Sequence, residues 1–489
     1  MKKRLLKVVL VAVLVGFAVG AEARTQDVQN AVVKIYTVHS TPSYYMPWGS
    51  YGNYSSTGSG AVIKEKRILT NAHVVHDQAM IQVRRNGDSR RYRARVLFVS
   101  HAADLAVLTV DDAGFFEGID PLEVGVLPEK QSEVGVYGFP VGGDMLSITE
   151  GIVSRVEHQS YSHSDCWLLA IQIDAAINSG NSGGPAIAGG QVVGIAMQGL
   201  NGADDVGYII PPSVIQQFLT DIEDGSCAGT PVLGIFSQLM ENPGMRRFYG
   251  LADEQSGVLI TSVAPGGFLK KDDVLLSMDG HPVENDATVE FRPDERTHFK
   301  YYMESLQMGE VLKVGILRNR KPLELDIPLT SPFGKGMLVS PVQYETPPSY
   351  YVYGGLLFVP FTGSFLKSLN EYDLSWITSL IPYLSEFSTD EMDEIVILQR
   401  VLATDVNEGY HSMGLVQVET VNGQKVKNLK HLVKLIETED GGEFVELGLF
   451  DGQKIILNRN RVAESTFSVL ADYQVTKDRS DDLLSPIGE

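Results

Sequence analysis

The chain has 489 residues, 44% hydrophobic and 21% charged, an ordinary globular composition long enough for two to four domains. Asp and Glu number 61 against 40 Lys and Arg, a formal net charge of -21, which excludes nucleic acid as the main partner because phosphate binding needs concentrated basic side chains. Two cysteines are too few for a disulfide scaffold, and no Cys/His cluster has metal-ligand spacing, so neither metal nor cofactor is expected.

The first segment, MKKRLLKVVLVAVLVGFAVGAEA (1–23), has the parts of an export signal. Lys2, Lys3 and Arg4 give a positive start, Val8 to Gly20 a short apolar core, and Ala21-Glu22-Ala23 a small-x-small cleavage site. An uncleaved anchor is the competing reading; the run is short for a bilayer span and ends in a cleavage motif, which favours removal. Cleavage takes away Lys2, Lys3, Arg4 and Lys7 against only Glu22, so the product is more acidic still. The expected destination is the periplasm, or else the extracellular medium, with no stable membrane span after cleavage.

Residues 24–225 carry short β-type runs such as AVVKIYTV, GSGAVI, LAVLTV, WLLAIQID and GQVVGIAMQ, separated by turn residues, the pattern of an all-β barrel or sandwich. The tract TPSYYMPWGSYGNYSST (41–57) interrupts them and is expected to be a surface loop without chemistry. A helix over PSVIQQFLTDIED closes the segment, and GSCAGTP (225–231) links it to the next. Cys166 and Cys227 are expected buried and inert, with their pairing open. A second unit spans 232–330, a Pro/Gly/Tyr-rich linker 331–349, and a third unit 342–465. VLLSMDGHPVEN in the second unit parallels VQVETVNGQKVKN in the third: strand, Gly turn, short apolar segment. The tail, 466–489, is polar and expected to be poorly ordered.

A hydroxyl needs a base to take its proton, an acid to orient that base, and donors for the oxyanion that forms. ILTNAHVV supplies His73, expected at a strand end; HAADLAVLTV supplies Asp104 just before a strand; INSGNSGGP supplies Ser182. Glycines around Ser182 can take positive φ and aim the N–H groups of Gly180 and Ser182, across Asn181, into one oxyanion hole. A phosphate cradle fails because no Lys-Ser/Thr follows the glycines, and a bare linker fails because apolar strands hem the run in. Alone, His73 could be a core histidine and Asp104 a turn cap; together, in the order His, Asp, Ser, they favour a catalytic triad.

TNAHVV, ADLAVL and QIDAAINSGNSGGPAI resemble the Deg/HtrA-type serine proteases, trypsin-like peptidases followed by PDZ domains. The resemblance runs through VLGIFSQLMENPGMRRFYGL and VENDATVEFRPDER and is closest to the branch with the plant Deg9-like proteases. It departs at Ser179, where many members have proline; serine only restores an N–H and some φ freedom. The resemblance implies a mostly β fold: a chymotrypsin-like double β-barrel protease domain, then two PDZ-type α+β domains, the second divergent. It implies an S1 pocket from Ala176, Ile177 and Asn178 with Ile195, Ala196 and Met197, whose apolar character suits small or medium aliphatic P1 side chains.

In a PDZ domain a peptide adds to a strand edge while a Gly-containing loop captures its carboxylate. Leu233, Gly234, Ile235 and Phe236 suit that loop in the first module, although an ordinary strand with a glycine bulge fits the local pattern equally well. YGGLLF (353–358) looks like the second module's counterpart, but an apolar insertion, EYDLSWITSLIPYLSEFS, follows and argues for assembly rather than peptide binding there. The resemblance implies an ATP-independent serine endopeptidase for misfolded or unfolded proteins, here in the cell envelope, binding peptide C-termini and assembling as trimers or larger. The alternatives are a PDZ scaffold or holdase with little proteolysis, and a processing protease for one substrate.

Overall fold

The computed structural model describes residues 27–199, 206–369, 378–438 and 442–484. The expected export signal (1–23), residues 371–377 of the apolar insertion and the last five residues of the tail lie outside the described residues.

The strand-rich first half closes into two six-stranded antiparallel barrels. The first runs in the order β1 (Val32–Pro42), β2 (Ser50–Ile63), β3 (Arg67–Thr70), β6 (Leu105–Val110), β5 (Tyr92–Ser100), β4 (Gln78–Arg85). The second is ordered β10 (Pro185–Ala188), β11 (Gln191–Gly199), β12 (Gly207–Ile210), β9 (Trp167–Ile173), β8 (Ser147–Ser160), β7 (Glu133–Gly138). β-Branched and aliphatic residues fill both interiors: Ile35, Ile68 and Leu108 in the first, Leu169, Ile171 and Ile209 in the second, all without exposed surface. Closure leaves no free sheet edge.

The first C-terminal module has a sheet in which Ile235–Leu239 forms an edge strand beside Val258–Val263. It docks on the second barrel through polar groups: Arg292 donates to the carbonyls of Leu127 and Pro128 (2.8 and 2.9 Å). His158 Nε2 donates to Glu304 Oε1 (2.7 Å), and the Leu169 N–H to Glu304 Oε2 (3.0 Å). The second module is a sheet in the order 351–353, 356–360, 396–401, 414–421, 444–449, 454–458, backed by helix Leu429–Glu437. That helix buries Leu429, Leu432, Val433 and Ile436, one face at helical spacing, and Asn428 caps it by accepting from the His431 N–H. The internal repeat is a repeated hairpin: Asp279-Gly280 and Asn422-Gly423 both take positive φ at two-residue turns.

Several expectations are corrected. Tract 41–57 is mostly strand: β1 and β2 form a long hairpin with only 43–49 outside it, and His39 pairs with Tyr54. Its tip reaches the second module, where Gln399 Nε2 donates to the Tyr44 carbonyl (2.8 Å) and the Arg400 guanidinium lies 4.1 Å over the Tyr45 ring. The tail is structured as far as Leu484. Helix Arg459–Asp472 continues from the last strand, the Val352 N–H donates to the Asp478 carbonyl (2.6 Å), and Ser480 is buried. Val469 and Val475 bury in the second module's apolar core, and hydrogen bonds hold the polar residues between and after them. Cys166 is buried but Cys227 is exposed, and both thiols are free. The 353–358 segment is a tight hairpin turn at Gly354-Gly355, so strand 351–353 occupies the side of strand 356–360 that a peptide would need.

Candidate active site

The three candidate catalytic residues meet where the barrels face each other. His73 lies not at a strand end but in a one-turn helix, Ala72–Val75, directly after β3. Asp104 precedes β6 in the left-handed region (φ 51), held there by Asn71, whose Nδ2 donates to the Asp104 carbonyl (3.0 Å). Its carboxylate, 1% exposed, grips His73 twice: Oδ1 accepts the His73 backbone N–H (2.9 Å) and Oδ2 accepts from Nδ1 (2.7 Å). Burial works against a charged His73, but the Asp104 charge and hydrogen bond outweigh it and hold the pKa above the ordinary histidine value. Nε2 is thereby left as the ring nitrogen free to accept a proton. In this state the Ser182 hydroxyl donates to the Met197 carbonyl (3.2 Å), not to the imidazole. Triad contacts are commonly loose until a substrate is bound.

The loop carrying Ser182 shows a regular division of labour. The carbonyls of Ser179, Gly180, Asn181 and Ser182 accept, in turn, from the Val141 N–H, the Ser59 hydroxyl, the Gly184 N–H and the Ser59 N–H, at 2.7–2.9 Å. The Asn181 N–H is spent on the Asn178 carbonyl and the Gly183 N–H on the Ala196 carbonyl (both 2.9 Å). Among the described residues nothing accepts from the N–H groups of Gly180 and Ser182. Two donors without acceptors beside a hydroxyl are what an oxyanion hole requires; Asn181, named with them from sequence, contributes no free N–H. Gly183 is obligatory here, since a Cβ would lie 2.1 Å from the Ser59 carbonyl oxygen.

The residues assigned to the S1 pocket separate into two groups. Ile177 packs over Gly207, while Ala176 and Asn178 accept hydrogen bonds through their carbonyls, from Thr149 Oγ1 and the Asn181 N–H. Ile195 and Ala196 have no exposed surface: Ile195 belongs to the barrel core and Ala196 acts through its backbone on the Ser182 loop. Met197 lines a cavity of about 620 Å³ beside His73. That cavity is also lined by residues from outside the barrels, including Tyr344, Ser364 and Lys367.

Tyr344 belongs to the stretch expected to be a linker, 331–349. Instead it is a strap across the site. The Tyr344 ring stacks on His163 (4.0 Å), its hydroxyl donates to the His163 carbonyl (2.7 Å), and Glu345 and Asp77 each accept the other's backbone N–H (2.9 and 2.7 Å). His101 joins His163 (2.9 Å) to Glu345 (2.8 Å). Burial, with His101 and His73 close by, keeps His163 neutral far below the ordinary histidine range.

In the first module Gly234 (φ 64), Leu233 and Ile235 line a cavity of about 90 Å³ beside the edge strand. Phe236 does not join them; its ring meets Phe387 of the second module at 5.1 Å. Sequence reasoning missed Ser59, Tyr344, Glu345 and His163, whose partners are remote in the chain; the glycines flanking Ser59 were the only local signal.

Comparison with known proteins agrees with this architecture. Residues 58–195 match the family described as a trypsin-like peptidase domain, and residues 339–482 match the PDZ domain family, a span that takes in most of the presumed tail. The putative mitochondrial protease Do-like 3 of Arabidopsis thaliana is 40% identical over 93% of this chain and 80% of its own length. The mitochondrial protease Do-like 4 of the same plant is 40% identical over 91% and 84%. A serine protease DegP homolog of Plasmodium falciparum is 30% identical over 83% of this chain and 58% of its own. Among solved structures, a variant of the HtrA-type protease AlgW with a decapeptide aligns over 64% of this chain and 98% of its own with a TM-score of 0.51; at 22% identity this likeness bears on the fold alone.

Proposed function

The chain belongs to the Deg/HtrA family of Do-like serine proteases, and on that premise we propose that it is an ATP-independent endopeptidase that cleaves misfolded or unfolded proteins after export. The observation that carries the proposal is the pair of N–H groups, Gly180 and Ser182, without acceptors among the described residues, beside a hydroxyl and a carboxylate-held imidazole. In this mechanism Ser182 Oγ attacks the scissile carbonyl, His73 Nε2 takes its proton and returns it to the leaving amine, and water then hydrolyses the acyl-enzyme. Asp104 orients His73 and stabilises the imidazolium. The signal-like residues 1–23 support export, with the periplasm as destination. Leu233, Gly234 and Ile235 beside the open edge strand support capture of peptide C-termini by the first module, and the covered strand of the second supports a role in assembly, trimer-based or larger.

The test is digestion without ATP of fluorescent casein beside a stably folded protein of similar size. Degradation of casein, with the folded protein spared, is expected. Single-site cutting of one folded partner with casein untouched would favour a processing protease. Suppressed aggregation with no cleavage at all would favour a holdase.

The pH profile gives an independent check. His73 accepts a proton only when neutral, and its pKa is raised. The acid limb of kcat/KM should therefore have its midpoint above the ordinary histidine value of about 6.5. A midpoint at or below that value in steady-state rates would contradict the assignment. The same shift stabilises the fold fully below about pH 6.5 and is lost as pH rises through the folded pKa, so activity and this contribution run in opposite directions.

A further inference from the structure

Ser59 lies in β2 between two glycines, has no exposed surface, and belongs to the other barrel from Ser182. Its hydroxyl, N–H and carbonyl are all engaged. Its hydroxyl donates to the Gly180 carbonyl (2.7 Å) and accepts from the Phe139 N–H (2.8 Å). Its N–H donates to the Ser182 carbonyl (2.8 Å), and its carbonyl accepts from Thr70 Oγ1 (2.7 Å). We propose that Ser59 is a positioning residue for the oxyanion hole: it reaches across from the first barrel and fixes the peptide planes on which the free Gly180 and Ser182 N–H groups depend. The inference rests on the reading of Ser182 as nucleophile.

A peptide unit is planar, so holding a carbonyl also fixes the N–H on its far side. The Gly180 carbonyl held by Ser59 sends the Asn181 N–H to the Asn178 carbonyl, away from the hole. The Ser182 carbonyl held by Ser59 likewise sends the Gly183 N–H to the Ala196 carbonyl. Gly180 sits at φ 98, and without a Cβ nothing intrinsic keeps its torsions there. External bonds must do so, and the Ser59 hydroxyl is the donor that reaches its carbonyl. The Phe139 contact ties the same hydroxyl to the backbone on which Gly180 rests, where a Cβ on Gly180 would come within 2.4 Å of the Phe139 carbonyl oxygen. Without the hydroxyl, the buried Gly180 carbonyl and Phe139 N–H both lose partners, and a rotated 180–181 plane becomes competitive. That rotation would release the adjoining 179–180 and 181–182 planes, which carry the Gly180 and Ser182 N–H groups, from their present orientation.

The test compares the parent with Ser59→Ala and Ser59→Cys, using the labelling rate of a fluorophosphonate probe and kcat and KM for a fluorogenic peptide drawn from casein. Ser59→Ala is expected to lower labelling rate and kcat together by about 10- to 100-fold, with KM within about 2-fold, because oxyanion-hole contacts act mainly in the transition state. Ser59→Cys keeps the volume but offers a weak donor, so it should fall between the two and carries the test if the alanine variant does not fold. Labelling and kcat within about 2-fold of the parent in both variants would overturn the proposal, as would KM and the melting transition moving in step with kcat. A parent that takes no label, like Ser182→Ala, would instead remove the nucleophile reading itself.

Discussion

Ser182→Ala is expected to lower kcat for casein by on the order of 10^6-fold, and Asp104→Asn by about 10^4-fold, while both variants keep the parent's affinity for an uncleaved peptide. The first loss follows from removing the atom that forms the acyl bond. The second comes from the two-point grip on His73. An asparagine amide placed where Oδ2 now sits would donate to Nδ1, and the ring would then carry its proton on Nε2. A ring in that tautomer cannot accept the Ser182 proton, although the shape of the site is almost unchanged. Initial rates with fluorescent casein, together with the double variant, check this. Residues that act as a unit are not additive, so Ser182→Ala with Asp104→Asn should be no slower than Ser182→Ala alone. Casein cleavage by Ser182→Ala within about 100-fold of the parent would remove Ser182 from the mechanism.

The candidate triad was legible because each member sits in a short local pattern whose chemistry is restrictive, and because chain order adds information that no single residue holds. The hairpins at Asp279-Gly280 and Asn422-Gly423 were legible for a similar reason: a two-residue turn with both φ positive selects Asp-Gly and Asn-Gly between apolar runs. Composition misled at 41–57, where serine, glycine and tyrosine suggested a loop, yet pairing with β1 supplies partners for the backbone and the aromatic rings cover the second module. The strap was illegible. Tyr344 and Glu345 have the Pro-rich context of a linker, and what orders them is a set of side chains more than 180 residues away: His163, His101 and Asp77. Ser59 was hidden in the same way, since a hydroxyl bonded to a glycine carbonyl 121 residues on leaves no period or motif.

Such long-range polar contacts join all three units, and the one between the second barrel and the first C-terminal module is the most deeply buried. His158 and Glu304 have side chains only 2% and 5% exposed, and Glu304 uses both oxygens, one on the imidazole and one on the Leu169 N–H. His158 Nδ1 meets the Thr297 hydroxyl (2.7 Å). Beside it, burial lowers the His298 pKa to about 3, so a neutral ring lies against the pair at neutral pH. Glu304→Ala would leave a buried ring nitrogen and a buried backbone N–H without their hydrogen-bond partner. The expected cost is about 3–5 kcal/mol, compared with about 1 kcal/mol or less for an exposed pair such as Lys454–Glu446. Glu304→Gln, which keeps the shape and one acceptor, should cost less. The loss should appear first at the interface. Trp167 lies 6.5 Å from His298, so its fluorescence in urea should change at lower denaturant in Glu304→Ala, ahead of the global transition. Casein cleavage should persist in the undocked state, because no bond to the Ser182 loop passes through Glu304. An unmoved Trp167 transition would mean that the buried pair adds nothing to docking, and the apolar contacts of Phe291 and Tyr301 with the barrel core would then hold the module in place.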